Sequence, residues 1–475
     1  MQMKPELPGG SSTNAADRLG TESIGKLLIK FSIPAITGML ASALYNFVDR
    51  IFIGHAVNEI ALAGISLTLP FLIINMAFAM LFGIGAANMI SMKLGQGRRD
   101  EAEKSLNICF FLLTGSGILL MVLGLIFLEP IVSIMGAPKE SEALAYAKDY
   151  FRVTLFGNVF FMIAFGMSHC TRAQGFPSVA MISMIMGAIL NIIFDYFFII
   201  LFQWGVEGAA WATVASHLAS CIYCMSFIMS KKAVVKLNPR LFKPESGIIR
   251  QILAFGSAQA LLQVMISAVS LINNTNMSRY GAAALGVDNG GDIALSGMNI
   301  FGAIFMLILM PVFGINQGAQ PILGYNYGAK NFSRVLRAYL GAIAAATMVC
   351  IAGFIVIQLF PVFLVRIFTP DGSDALMQFA PRMMRIISIM LPLGGFQIVS
   401  TNFFVVTGRP KMSIFLSMLR QCIILIPCII IFGRFWGLWG VVAAAPVADG
   451  IAFIVTGVLI LLEIKKLRRQ HREQP

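Results

Sequence analysis

The run "GAILNIIFDYFFIILF", residues 187 to 202, sets an amide, Asn191, and a carboxylate, Asp195, four positions apart among apolar side chains. Four positions is about one helical turn, so both project from one face of a helix. A carboxylate at the centre of a membrane helix costs about 2.5–3.5 kcal/mol to insert and is kept where it has a partner or a ligand. Oxygens of this kind take up a proton or hold a hard cation. The structural alternative is a packing hydrogen bond between helices. A second acid, Asp449 in "PVADGIAF", lies 12 residues into the last apolar stretch and so ~18 Å deep, where it either lines a pathway or makes a structural hydrogen bond. Arg420 in "SMLRQCIILIP" either pairs with Asp449 or snorkels toward the inner surface.

The elements that must position these groups follow from composition. The chain has 475 residues, 58% hydrophobic and only 12% charged, against about 25% charged in soluble domains. The expectation is an all-α integral membrane protein. Twelve stretches can cross a bilayer, near 26–53, 60–92, 105–128, 144–169, 178–202, 206–229, 248–276, 293–325, 336–360, 374–406, 412–432 and 437–463. Residues 1–23 are polar and lack the apolar stretch of a cleavable signal, so the first span is expected to direct insertion. Cys109, Cys170, Cys221, Cys224, Cys350, Cys422 and Cys428 all fall in apolar stretches without metal-ligand spacing.

The net charge of +13 needs no nucleic acid. With the N-terminus inside, inner loops and tails collect 25 of the 35 Lys and Arg, the outer side nine, and Arg420 stays within a span. Arg172 is counted among the inner-loop charges. This bias puts both termini in the cytoplasm of a multi-pass protein of the plasma (inner) membrane.

The chain also repeats. "GIGAANMISMKLGQGRRDEA" from Gly83 answers to "GINQGAQPILGYNYGAKNFS" from Gly314, "IALAGIS" at Ile60 to "IALSGMN" at Ile293, and "WGVEG" at Trp204 to "WGLWG" at Trp436. Offsets of 231 to 233 imply two six-span halves of the same orientation, a parallel repeat about the membrane normal. The expected division is a cytoplasmic tail 1–23, a lobe 24–230, a cytoplasmic linker 231–247, a lobe 248–464 and a basic tail 465–475.

"YNFVDRIFIGH", "IALAGISLTLP", "LGQGRRDEA", "RAQGFP", "WGVEGAAWATVAS" and "INQGAQPILGYNYGA" together resemble the MATE family, the multidrug and toxic compound extrusion transporters, over residues 24 to 463. The resemblance implies a twelve-helix, two-lobed antiporter that expels cationic amphipathic compounds in exchange for Na+ or H+ and needs no other cofactor. It is closest to the DinF-like branch, whose coupling-cation site implies Asp49 in "VDRIFIG", Asn191 and Asp195 in "NIIFD", and Thr213 in "GAAWAT". The seventh span departs from NorM-like relatives, which carry a Glu there; no acid lies between Arg250 and Arg279.

Depth supports the same grouping. Asp195 lies seven residues before the end of its span and Thr213 about eight into the next, so each sits roughly 10–12 Å below the outer surface, with Asp49 near the outer end of the first span. Such a set binds Na+ through oxygens; alternatively, two carboxylates in poor solvent cannot both stay charged and one takes a proton. Asn158, Gln263, Asn299, Gln397 and Asn402 are further candidates for a substrate cavity, or for helix-to-helix hydrogen bonds. His217 is the repeat counterpart of Asp449 and is expected to be structural.

No Ser-His-Asp set, HExxH or metal cluster supports an enzyme. The alternatives are a lipid-linked oligosaccharide flippase, which calls for several cationic groups in its cavity, and a polytopic membrane transferase, which calls for clustered His, Asp or Glu at a membrane surface. The expected partners are a small cationic substrate and the bilayer, with the chain acting as a monomer.

Overall fold

The computed structural model describes residues 13–56, 59–134, 141–238, 245–287, 289–369 and 372–472. All regular structure among them is helical, as lipid demands: with no water to satisfy backbone groups, a spanning segment must bond within itself. In chain order the helices are α1 (Thr13–Thr21), α2 (Ile24–Ala56), α3 (Glu59–Ser66), α4 (Leu69–Gly95), α5 (Arg99–Ile126), α6 (Leu128–Ile134), α7 (Glu142–Ala173), α8 (Pro177–Asp195) and α9 (Gly205–Met229). The second half runs α10 (Ser246–Ala284), α11 (Gly290–Gly328), α12 (Phe332–Leu359), α13 (Pro361–Phe368), α14 (Asp374–Ile387), α15 (Leu391–Val406), α16 (Pro410–Met418) and α17 (Ile426–Arg472).

Eleven helical runs among the described residues are long and apolar enough to cross a membrane. The last, Pro410–Gln470, contains two crossings. Gly437 sits inside it at φ 58°, a conformation that favours glycine, and Gly440 comes back against the Phe432 backbone, which a continuous helix would hold about 12 Å away. The chain therefore reverses there, giving twelve crossings.

Four expectations change in detail. The stretch 60–92 is not one helix: Thr68 bonds back to the Ile65 carbonyl at 2.7 Å, and α4 starts afresh with Pro70 in its first turn, where a missing N–H costs nothing. The stretch 374–406 is interrupted by a 3₁₀ turn, Ser388–Met390, just before Pro392. The polar tail 1–23 contains a helix, α1, and the basic tail continues α17 to Arg472. Of the expected linker 231–247, residues 239–244 lie outside the described residues.

The halves interlock through their first long helices, α2 and α10, each of which packs on both halves. Leu27 and Phe31 of α2 belong to the apolar core built by α11 to α17, while Ile248, Ile252, Phe255 and Ala258 of α10 belong to the core of α4, α5, α7 and α9. Glycine permits the closest approaches. Gly85 of α4 lies against the Ile252 carbonyl and Gly256 of α10 against the Leu81 carbonyl, so a Cβ at either would collide with backbone. Leu271, Phe435 and Leu461 are exposed, an exterior suited to lipid rather than water.

Candidate functional site

α8 opens on Pro177 and carries Asn191 and Asp195 on one face near its far end. It is tied to α9 by a reciprocal pair: Ser183 Oγ donates to the Ser220 carbonyl at 3.3 Å and Ser220 Oγ to the Ser183 carbonyl at 3.1 Å. That pairing sets the register in which Asn191 Nδ2 donates to Thr213 Oγ1 of α9 at 3.5 Å. α2 packs along α8 and brings Asp49, half-buried, near enough for its charge to act on Asp195. The four expected residues therefore converge.

Their burial is uneven. Asn191 and Asp195 are both 0% exposed, and Asn191 Oδ1 and both Asp195 carboxylate oxygens have no hydrogen-bond partner. A buried carboxylate without partners is costly, of the order of several kcal/mol, unless a cation or proton joins it. Three acceptor atoms thus point to a positive ligand. Immediately after Asp195 the helix widens into a π turn, Tyr196–Leu201, although no proline is there to force it. Such turns recur at functional sites.

Sequence reasoning missed Tyr150. It projects from α7, is 6% exposed, and lies close enough to Thr213, Asp49 and Asp195 to interact with them. A signal was present: Tyr150 lies eight residues into α7, hence about 12 Å deep, level with Thr213 in α9.

In the second half, Arg420 Nε donates to Asp449 Oδ1 at 2.6 Å across the reversal at Gly437. The direct contact decides for ion pairing over snorkelling, and the pair keeps some access, 30% and 20% by side chain. Asn158 is buried on α7 and donates to the Gly117 carbonyl of α5 at 3.4 Å, a helix-to-helix bond. Gln397 and Asn402 are buried on α15, Gln263 is half-buried on α10 and Asn299 is exposed on α11. His217 packs against Phe161 with ring centroids 5.2 Å apart and the planes tilted by 52°.

Arg172 is not a solvated loop charge. It occupies the last turn of α7, is 4% exposed, and donates to Gln317 Oε1 of α11, while Gln320 of α11 donates to Asn88 Oδ1 of α4 at 2.6 Å. These bonds join the two halves. The contacts between halves gather toward the ends of the spans that bear the termini: Phe31, Ser32 and Ile36 of α2 meet Gly318 and Gly314, Ser91 meets Gly324, and Gly95 meets Tyr325. Asp49, Asn191, Asp195 and Thr213 sit toward the opposite ends.

Known proteins share this architecture. The multidrug export protein MepA of Staphylococcus aureus strain NCTC 8325 is 28% identical over 445 residues, covering 92% of this chain and 93% of the relative. MepA of Staphylococcus haemolyticus is 26% identical, covering 93% and 94%. A solved structure described as the outward-facing conformation of a multidrug resistance MATE family transporter superposes with a TM-score of 0.88 at 25% identity, covering 98% of this chain and all of that one. These curated relatives are MepA proteins, so the DinF-like branch is not what they name. The MatE family profile matches twice, at residues 34–197 and 267–431, once in each half, and the chain belongs to the MatE family.

Proposed function

We propose that this protein exports cationic amphipathic compounds by alternating access, in exchange for Na+ or H+ bound at Asp49, Asn191, Asp195 and Thr213. One observation carries the coupling site: three buried acceptor oxygens of Asn191 and Asp195 without a donor, beside a second carboxylate. Export of drugs is supported by the likeness to MepA over nearly the whole chain. The site follows the DinF-like pattern although the relatives are MepA proteins.

The division into lobes 24–230 and 248–464 about a twofold axis is supported by the doubled profile match and by the packing of α2 on α11 and α10 on α4. The charge bias puts the terminus-bearing side in the cytoplasm. On that reading the halves meet on the cytoplasmic side, and substrate leaves toward the outside.

Proton or Na+ binding removes the repulsion between Asp49 and Asp195, so the first half can tighten around them. An ion that favours the tightened state thereby drives the change, whereas one with equal affinity for both states drives nothing. For the substrate, Asp449 is a partly accessible acid that a cation could reach by competing with Arg420, and the pairing leaves no surplus of positive charge for a pyrophosphate-bearing lipid. The flippase alternative therefore gains no support. The deciding experiment is efflux of cationic dyes from proteoliposomes under Na+ and proton gradients imposed separately. Efflux that responds to one gradient is expected; efflux indifferent to both overturns the coupled-antiport reading.

A further inference from the structure

α1 lies across the face where the halves meet. On one side it is held by the second half. The Leu19 carbonyl accepts from Asn326 Nδ2 at 2.9 Å and from Arg334 Nη2 at 3.1 Å, and the Glu22 carbonyl accepts from the same Nη2 at 2.5 Å. Arg334 is itself oriented, donating from Nε to Asn326 Oδ1 at 3.0 Å, and Asn326 is 0% exposed. A guanidinium on carbonyls at and just beyond a helix C-terminus is favourable with the helix dipole. Tyr325 adds a hydroxyl 3.4 Å from Asp17 Oδ1, and Leu19, 0% exposed, enters the second-half core.

On its other side α1 is held by the first half. Ala16 is 5% exposed within the first-half core, and the Ala15 carbonyl lies against Gly175, where a Cβ would come within 2.7 Å of it. Gly175 has φ +98°, in the turn that follows Arg172. The clamp exists in one copy only. At the 231-residue offset, Asn326 and Arg334 correspond to Gly95 and Glu103, which cannot form it.

We propose that α1 is a strap that holds the terminus-bearing face closed, with Arg334 and Asn326 as the clamp that sets how often this face opens. Parting the halves separates the Gly175 turn from α11 and α12, and α1 cannot stay seated on both. Only Glu22 and Ser23 separate α1 from α2, so α2 is pinned to the second half at one end while its far end presents Asp49 to the first-half site. A cation bound at Asp49 thus has a continuous path, 26 residues or about 39 Å of helix with Pro34 inside it, to the closed face. The strap rests on the alternating-access reading but not on the identity of the coupling ion.

The test places spin labels at Gln96→Cys and Ala329→Cys, exposed turns of the two halves beside the Gly95–Tyr325 contact, with the partly buried Cys422 and Cys428 replaced by Ser. Distances are measured by pulsed electron spin resonance in nanodiscs. One short-distance population is expected in the parent. Arg334→Gln, Asn326→Ala and removal of residues 1–21 should each raise the long-distance share threefold or more, and Arg334→Lys should fall between. If the truncated chain fails to insert, the point variants decide. Unchanged distances in well-inserted Arg334→Gln and Asn326→Ala would overturn the strap, even if melting temperature falls, because a merely structural clamp changes stability without moving the halves apart. The readout is distance, so it stands or fails separately from any loss of transport in the Asp49 and Asp195 variants.

Discussion

The two halves repeat one architecture and handle their buried charge in opposite ways. In the first, Asp195 is 0% exposed with neither oxygen bonded, and its polar neighbours are Asn191, Thr213, Tyr150 and another acid. In the second, Asp449 keeps some accessibility and is matched by Arg420 at 2.6 Å. At the 232-residue offset, Asn191, Asp195 and Thr213 correspond to Ile423, Pro427 and Ala445, while Asp449 and Arg420 correspond to His217 and Ala188. At these positions each half lacks the charges that the other carries. An acid with its own base is neutral as a pair and does not need an ion; an acid left with acceptors does.

The π turns make the same contrast. The second-half turn, Leu419–Leu425, precedes Pro427, whose missing N–H and ring break the regular ladder. The first-half turn follows Asp195 with no proline near it. One has a covalent cause. The other is held by its surroundings, which suits a place where ion binding changes those surroundings.

The largest expected effect comes from removing the unmatched charge. Asp195→Asn or Asp49→Asn should reduce gradient-driven efflux to background, roughly tenfold or more, while insertion stays normal, because an amide is cheaper in lipid than a carboxylate. Proteoliposome efflux against imposed ion gradients, with yield measured alongside, checks this. Normal coupling in both variants would make the contrast between halves a matter of packing alone.

Breaking the matched pair should do something different. Arg420→Gln leaves Asp449 uncompensated and should cost about 2 kcal/mol, below the value for a fully buried pair because this one retains access. Arg420→Met with Asp449→Leu should recover most of that stability, read as apparent melting temperature. Asp449→Asn should lower transport of dications more than of monocations. Equal transport of both would return Asp449 to a structural role.

Most of the fold was legible because lipid enforces hydropathy span by span, and the NIIFD spacing was legible because one helical turn puts both groups on a face. What stayed hidden depends on contacts remote in sequence. The Arg420–Asp449 pair forms only because the chain reverses at Gly437. Arg172 looks like a loop charge until α11 covers it. α1 is too short and polar for any hydropathy signal, and its place is set by Asn326 and Arg334, more than 300 residues on. Tyr150 is one of nine tyrosines, and only the packing of α7 beside α9 singles it out.

Within the first-half site, Thr213→Ala removes the acceptor for Asn191 Nδ2 without touching charge. One lost hydrogen bond is worth about 1 kcal/mol, so the apparent ion affinity should weaken about fivefold with maximal efflux nearly unchanged. An unchanged ion dependence would remove Thr213 from the site.

The smallest effect should be that of Tyr150→Phe, which keeps the ring and deletes only the hydroxyl that reaches Thr213. The ring still fills its buried position on α7, so folding should hold. What changes is one polar contact beside the acids, worth about 0.5–1 kcal/mol or a two- to fivefold rise in the ion concentration giving half-maximal efflux. Because the two side chains share one contact, Tyr150→Phe and Thr213→Ala should combine to less than the sum of their separate effects. Full additivity would separate Tyr150 from the Thr213 contact. A lower melting temperature with no shift in ion dependence would place Tyr150 in the packing of α7 and leave the proposed site with the four residues that sequence alone brought forward.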